Sequence, residues 1–115
     1  MKPTDFSMHL TSFLSDYLPI QKNVSRNTIR SYRDTFKLLL LFCEKEEAVP
    51  IEKLTMKKLS PERIERFLDW LETERKSSIS TRNLRLTAIH SFFRYAQAES
   101  PEALSLIHIS EPTRP

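Results

Sequence analysis

The sequence predicts an all-α protein, and two observations indicate this class. The 115 residues include no glycine, although the tight turns of β-hairpins usually depend on it. Apolar residues recur every three or four positions in four separate segments, which places them on one face of a helix. The chain is long enough for one domain of ordinary size, and its 39% hydrophobic and 29% charged residues are typical of globular proteins.

The first two predicted helices are separated by Pro19. The first runs from about Asp5 to Leu18, with Asp5 as its N-cap, and Pro19 ends it. The second begins after a capping Ser25 and stops before Pro50. Its predicted inner face consists of Ile29, Tyr32, Phe36, Leu39, Leu40 and Cys43.

A connector over residues 48–59 leads to the third predicted helix. Its apolar residues Ile51, Leu54 and Leu59 are expected to pack onto the core. The helix begins at Ser60-Pro61, a capping serine followed by proline at the first helical position. Its inner face consists of Ile64, Phe67, Leu68 and Leu71, with Trp70 at the edge as a packing residue.

The fourth predicted helix starts near Ser78 or Ser80 and runs to about Ala98. Its later inner face consists of Ile89, Phe92, Phe93 and Ala96. The same face begins with Thr81, Arg82 and Arg85, so it turns polar and basic at its start. This change indicates that the start of the helix projects beyond the core, where its N–H groups and arginines could meet a phosphate or a DNA groove.

Several classes of site are not expected. Without glycine, the chain lacks both glycine-rich phosphate loops and the GxSxG turn of many serine hydrolases. His9, His90 and His108 are scattered, so neither a metal site nor a cofactor is predicted. The single cysteine, Cys43, cannot form an intrachain disulfide, which fits a reducing, cytoplasmic setting. No apolar run is long enough to span a bilayer, and no small-molecule substrate is expected.

Basic residues are concentrated in two of the helices. Residues 22–37 hold five basic residues and one acid, and residues 77–98 hold three arginines and no acid, whereas residues 44–76 hold eight basic and nine acidic residues. In the second helix, the basic residues fall in one narrow line at about 100° per residue: Arg26, Arg30, Arg33 and Lys37. Because like charges at this spacing slightly destabilise a helix, the line favours contact with a polyanion over an ordinary solvated surface.

Two segments carry a family resemblance. The run from Ser25 to Tyr32, followed by Phe36 and Phe42, resembles the second helix of the core-binding domain of tyrosine recombinases of the phage-integrase type. The run from Ser80 to Ala96 resembles the last helix of that domain. The likeness extends over residues 5–100 in order and spacing, and it implies a SAM-like orthogonal bundle of four to five helices.

The resemblance also implies a function. In this family the helical domain lies on one side of double-stranded DNA and the catalytic domain closes on the other, with further protomers on the same DNA. The second and fourth helices approach the major groove. The contacts that position and charge imply are Arg26, Thr28, Arg30, Arg33, Lys37, Ser80, Thr81, Arg82 and Arg85.

The catalytic part of such a recombinase has no counterpart in this sequence. The family's tyrosine nucleophile and its basic partners lie in a C-terminal domain that would begin after residue 100. Tyr17, Tyr32 and Tyr95 fall on the predicted helices and do not match the nucleophile's position. The chain is therefore expected to be a non-enzymatic fragment, with no catalytic residue of its own.

The end of the chain resembles something other than protein-coding sequence. Residues 104–115 resemble the translation of a transposase adapter used in sequencing libraries. The expected organisation is a DNA-binding domain over residues 1–100, the start of an interdomain linker over 101–103, and a non-native tail over 104–115.

Two other functions remain open. One is a helical adaptor that binds another protein and no nucleic acid, in which case binding would be insensitive to salt. The other is a helix-turn-helix regulator, but the long connector over residues 44–60 argues against the compact helix pair that such a protein needs.

Overall fold

The computed structural model describes residues 3–99, and within them it is all-α, as predicted. The elements in chain order are α1 (Asp5–Ser12), a π-helix (Phe13–Gln21), α2 (Arg26–Glu46), a 3-10 helix (Ile51–Lys53), α3 (Pro61–Thr73) and α4 (Ile79–Glu99). The chain forms two compact units, which meet in sequence between Thr55 and Met56. The expected linker over 101–103 and the expected tail over 104–115 lie outside the described residues.

The first helix differs from the prediction at both of its ends. The N-cap of α1 is Thr4, whose hydroxyl accepts the Ser7 N–H at 3.1 Å, while Asp5 is the first helical residue. Pro19 does not end the helix, because α1 continues into a π-helix that contains it. Proline lacks an N–H and its ring clashes with the carbonyl four residues earlier in an α-helix. The wider π turn, with bonds between residues five apart, accommodates such a residue.

The core of the first unit is built around Phe13. Its ring stacks on Tyr17 and Tyr32, with centroids 5.8 and 6.2 Å away, and it meets Phe36 edge-on at 6.4 Å. The residues buried in this unit are Phe6, Phe13, Leu18, Thr35, Phe36, Leu39, Phe42, Cys43 and Leu54. The polar member, Thr35, donates its hydroxyl hydrogen to the Ser31 carbonyl at 3.1 Å, so its burial leaves no unmet donor.

The connector between α2 and α3 follows the prediction at two of its three apolar positions. Leu54 and Leu59 are buried, whereas Ile51 is 53% exposed. Ile51 opens the short 3-10 helix, and Met56 is buried where no packing was predicted. In a short connector without helical periodicity, the sequence pattern does not indicate which apolar side chain faces inward.

The second unit matches the predicted helices closely. Ser60 caps α3 by accepting the Arg63 N–H at 3.2 Å, and Pro61 is its first residue. Every predicted inner residue of α3 and α4 is buried, together with Ala88: Ile64, Phe67, Leu68, Leu71, Ile89, Phe92, Phe93 and Ala96. Trp70 is half-buried, stacks on Phe67 at 6.2 Å and lies under the Arg75 guanidinium, so its role is packing.

Three helix ends use a left-handed residue although the chain has no glycine. Asn23, Ala48 and Lys76 have φ values of 50°, 57° and 55°. In each case the next residue donates its N–H to a carbonyl six positions back: Val24 to Leu18, Val49 to Cys43 and Ser77 to Leu71, all at 2.9 Å. These bonds satisfy helix-end carbonyls that would otherwise lack a partner.

Within the described part of the chain, no helix combines the length and the apolar character needed to cross a membrane.

Candidate nucleic-acid interface

The basic line predicted on α2 is fully at the surface. Arg26, Arg30, Arg33 and Lys37, which we call the α2 stripe, are all exposed. They lie on the N-terminal half of a 21-residue helix, at positions within about 60° of one another around its axis. The four cations that the sequence places in one line therefore face outward on one side of the helix.

The charges of α2 run against the helix dipole. A helix is stabilised by acids near its N-terminus and by bases near its C-terminus, but the first turn of α2 holds no acid. Exposed Glu44 and Glu46 lie instead near the C-terminal end, alongside Lys45. Neighbouring cations in the stripe also repel one another by a few tenths of a kcal/mol. The stripe is therefore not arranged for the stability of α2 and is better suited to an external anion.

An open groove runs alongside the stripe. Its volume is about 480 Å³, and one wall comes from the π-helix while the other comes from the first two turns of α2. The lining residues are Leu14, Ser15, Pro19, Arg26, Ile29, Arg30 and Arg33. The guanidinium groups thus border a partly apolar depression, which adds shape to a surface that would otherwise be only charged.

Thr28 has a local structural role next to the stripe. The Ser25 hydroxyl accepts the Thr28 N–H at 3.3 Å and donates to the Thr28 hydroxyl at 3.1 Å. The predicted cap of α2 is therefore confirmed, and Thr28 is held by it while remaining exposed.

The start of α4 repeats this arrangement. The Ser78 hydroxyl accepts the Thr81 N–H and donates to the Thr81 hydroxyl, both at 3.1 Å. Of the two capping serines that the sequence allowed, the structure thus selects Ser78. Ser80 lies two residues after Ser78 and is exposed, whereas Thr81 is half-buried.

Arg82 and Arg85 do not project from the unit as predicted. Both are half-buried, and their Nε atoms are shielded from solvent. Arg82 Nε forms an ion pair with the Glu72 carboxylate of α3, with the two side chains 28% and 41% exposed. The polar start of the inner face thus packs beside α3. The sequence pattern does not indicate this pair, because its members are brought together only by the packing of two helices.

The outward side of α4 carries different residues. Ser80, Asn83, Leu84, Thr87 and Arg94, which we call the α4 outer stripe, are all exposed. Four of them were absent from the predicted interface, although the helical spacing of the inner face could have identified them as its opposite side. Residues 77–98 contain no acid, so the α4 outer stripe has no carboxylate within it, and the one acid of α4 is Glu99 at its C-terminal end.

Over residues 3–99, histidine, cysteine and carboxylate side chains form no group of three or more that could hold a metal ion.

Comparison with known proteins identifies a domain family and several relatives of this chain. The model of the "Phage integrase, N-terminal SAM-like domain" family matches residues 10–100. A protein of Sinorhizobium fredii named integrase/recombinase y4rC is 48% identical over 93 residues, which are 81% of this chain and 28% of that protein. A second from the same organism, y4rD, is 36% identical over 97 residues, 84% of this chain and 34% of its own length.

A more distant relative is the tyrosine recombinase XerC of Leptospira interrogans. It is 28% identical over 79 residues, 69% of this chain and 24% of its own length. This chain thus spans about a quarter to a third of the length of the curated relatives it matches. No solved structure matches it with statistical significance. Since the family model covers most of the chain and agrees with the observed helices, the chain belongs to the phage-integrase N-terminal SAM-like domain family.

Proposed function

We propose that this chain binds duplex DNA as the core-binding domain of a site-specific tyrosine recombinase. The observation that carries the proposal is the α2 stripe: four exposed cations on one side of the helix, placed where they oppose the helix dipole. Cations in such a line suit the regularly spaced phosphates of a duplex, because contacts to phosphate oxygens fix a protein's position on DNA.

The contacts fall into two groups. On α2 we propose Arg26, Arg30, Arg33 and Lys37 as phosphate contacts, with Thr28 beside them. On α4 we propose Ser80 and Thr81 as hydrogen-bonding contacts. Arg82 and Arg85 can join them only by turning outward, and for Arg82 this means leaving Glu72.

The chemistry of recombination is assigned to the remainder of the parent enzyme. The curated relatives are three to four times longer than the segment they share with this chain. We propose that strand cleavage by a tyrosine nucleophile, and assembly with other protomers on DNA, require that further length. The domain described here would hold the DNA for those steps in the cytoplasm.

The proposal is tested by the salt dependence of binding. We expect weak affinity, micromolar or weaker at physiological salt, since the contacts are largely electrostatic. Fluorescence anisotropy with a labelled duplex should show log K falling linearly with log salt, by about 0.9 for each phosphate contacted. Absence of duplex binding at low salt, or an affinity that does not change with salt, would contradict the proposal and favour the protein adaptor.

A suicide DNA substrate tests the second part of the proposal. We expect no covalent protein–DNA adduct with this chain. An adduct that disappears when Tyr17, Tyr32 or Tyr95 is replaced by phenylalanine would show that the domain itself is catalytic.

A further inference from the structure

The α4 outer stripe has a composition that differs from an ordinary solvated helix face. At about 100° per residue, Ser80, Asn83, Leu84, Thr87 and Arg94 fall within about 100° of one another, opposite the buried face. Only the last of them is charged. Leu84 is 50% exposed, and Ile79, at the start of the same helix, is 71% exposed.

Asn83 and Leu84 are the distinctive pair in this stripe. Asparagine has a low helix propensity, yet it lies in the second turn of a 21-residue helix. The next residue, Leu84, exposes apolar surface to water, which is unfavourable and adds nothing to the core. The two side chains lie about 100° apart, at the two edges of the outer stripe. They offer an amide with one donor and one acceptor end and an apolar surface.

The polar side chains next to Asn83 and Leu84 make their bonds elsewhere. Thr87 donates its hydroxyl hydrogen to the backbone carbonyl of Asn83 at 3.0 Å, so this bond does not use the Asn83 amide. Arg82, between the outer stripe and the core, is held by Glu72. The groups that could meet a partner directly in front of this part of α4 are therefore mostly neutral.

The chemistry of the pair matches one base pair in particular. An asparagine amide bonds to both N6 and N7 of adenine, and an apolar side chain contacts the C5 methyl of thymine, in the major groove. We propose that Asn83 and Leu84 read an A·T pair, or an adenine next to a thymine, on the DNA that this domain binds. This inference rests on the proposed function, and it assigns base recognition to neutral residues that the charge pattern did not indicate.

The test separates the two contacts atom by atom. The preferred duplex is first selected from a random library with the full 115-residue chain, and each A·T pair is then altered in turn. Replacing adenine by 7-deazaadenine removes the N7 acceptor, and replacing thymine by deoxyuridine removes the methyl group. At one A·T pair we expect 7-deazaadenine to weaken DNA binding about tenfold. Deoxyuridine at the same pair or the adjacent pair should weaken DNA binding by a smaller factor.

Variants then assign each effect to a residue. Asn83→Ala should lose the sensitivity to 7-deazaadenine, and Leu84→Ala should lose the sensitivity to deoxyuridine. Both should keep the salt slope of the parent, because neither removes a charge. Gln97→Ala, an amide on the same helix but outside the outer stripe, is the matched control and should keep both sensitivities.

Three results would overturn the inference. They are a selected site without a fixed A·T pair, a sensitivity to 7-deazaadenine that survives in Asn83→Ala, and equal losses in the Gln97→Ala control. In each of these cases salt-dependent DNA binding would persist, so the proposed function would stand. A chain that fails to bind duplex DNA at low salt contradicts the proposed function first, and this inference with it.

Discussion

Glu72 on α3 holds Arg82 on α4 through an ion pair that is partly exposed to solvent. Arg82 is also among the residues proposed to contact DNA, so the carboxylate competes with phosphate for one guanidinium. An exposed pair of this kind contributes little to stability. Its main consequence is therefore for binding.

Replacing Glu72 by glutamine should strengthen DNA binding. The change removes a negative charge and leaves Arg82 available to a phosphate, so the slope of log K against log salt should steepen by about one. The measurement is duplex binding by anisotropy at several salt concentrations. Glu65→Gln, which removes an exposed acid of the same helix, is the control and should raise affinity less, with an unchanged slope. Weaker binding by Glu72→Gln would instead show that Glu72 positions Arg82 for DNA.

The two serine caps should each contribute to stability. Ser78→Ala removes the acceptor of the Thr81 N–H, and Ser25→Ala does the same to Thr28. Each change should lower the free energy of unfolding by about 1 kcal/mol, measured by urea denaturation followed by circular dichroism. Ser80→Ala is the control, since Ser80 is exposed within α4 and caps nothing. Equal destabilisation by Ser80→Ala would contradict the assignment of Ser78.

Glycine should stabilise the helix ends where the chain has none. Ala48 and Lys76 adopt left-handed backbone, which costs a residue with a Cβ roughly 1–2 kcal/mol relative to right-handed helix. Ala48→Gly and Lys76→Gly should therefore raise the unfolding free energy by up to about 1 kcal/mol, after the entropy cost of glycine. Glu65→Gly, in the middle of α3, should lower it by a similar amount. Destabilisation at all three positions would argue against the left-handed helix ends.

Each unit should depend on one central phenylalanine. Phe36 and Phe92 are almost fully buried, and replacing either by alanine should cost roughly 3–5 kcal/mol. Thermal unfolding followed by circular dichroism measures the loss, and Met8→Ala, at a residue 58% exposed, should change little. Retention of parental stability in Phe92→Ala would contradict the packing of α3 and α4.

Most of the helical framework could be predicted from local patterns. Every residue that the apolar spacing placed on the inner faces of α3 and α4 is buried. This succeeds because a helix that buries one side carries apolar residues there at each turn. The prediction at Pro19 was wrong, because proline usually ends an α-helix and its accommodation by a π turn depends on packing. The Glu72–Arg82 pair also escaped prediction. The pair joins two helices, and sequence periodicity describes one helix at a time.

The proposed interface could be predicted from the sequence only where basic residues form it. The α2 stripe carries four cations at helical spacing and was identified from the sequence alone. On α4 the arginines drew the prediction to Arg82 and Arg85, which lie on the core side and are half-buried. The exposed Asn83 and Leu84 bear no charge, so only the burial pattern of the folded helix distinguishes them.

The central claim is that the α2 stripe contacts DNA, and one comparison of salt slopes tests it most directly. Arg30→Ala/Arg33→Ala removes two exposed cations from the stripe, and Lys45→Ala/Lys57→Ala removes two exposed cations elsewhere. With folding of both variants verified by circular dichroism, we expect the arginine variant to bind duplex DNA more weakly and its salt slope to fall by about two. The lysine variant should stay close to the parent. Parental affinity and slope in the folded arginine variant, or equal losses in both variants, would contradict the account.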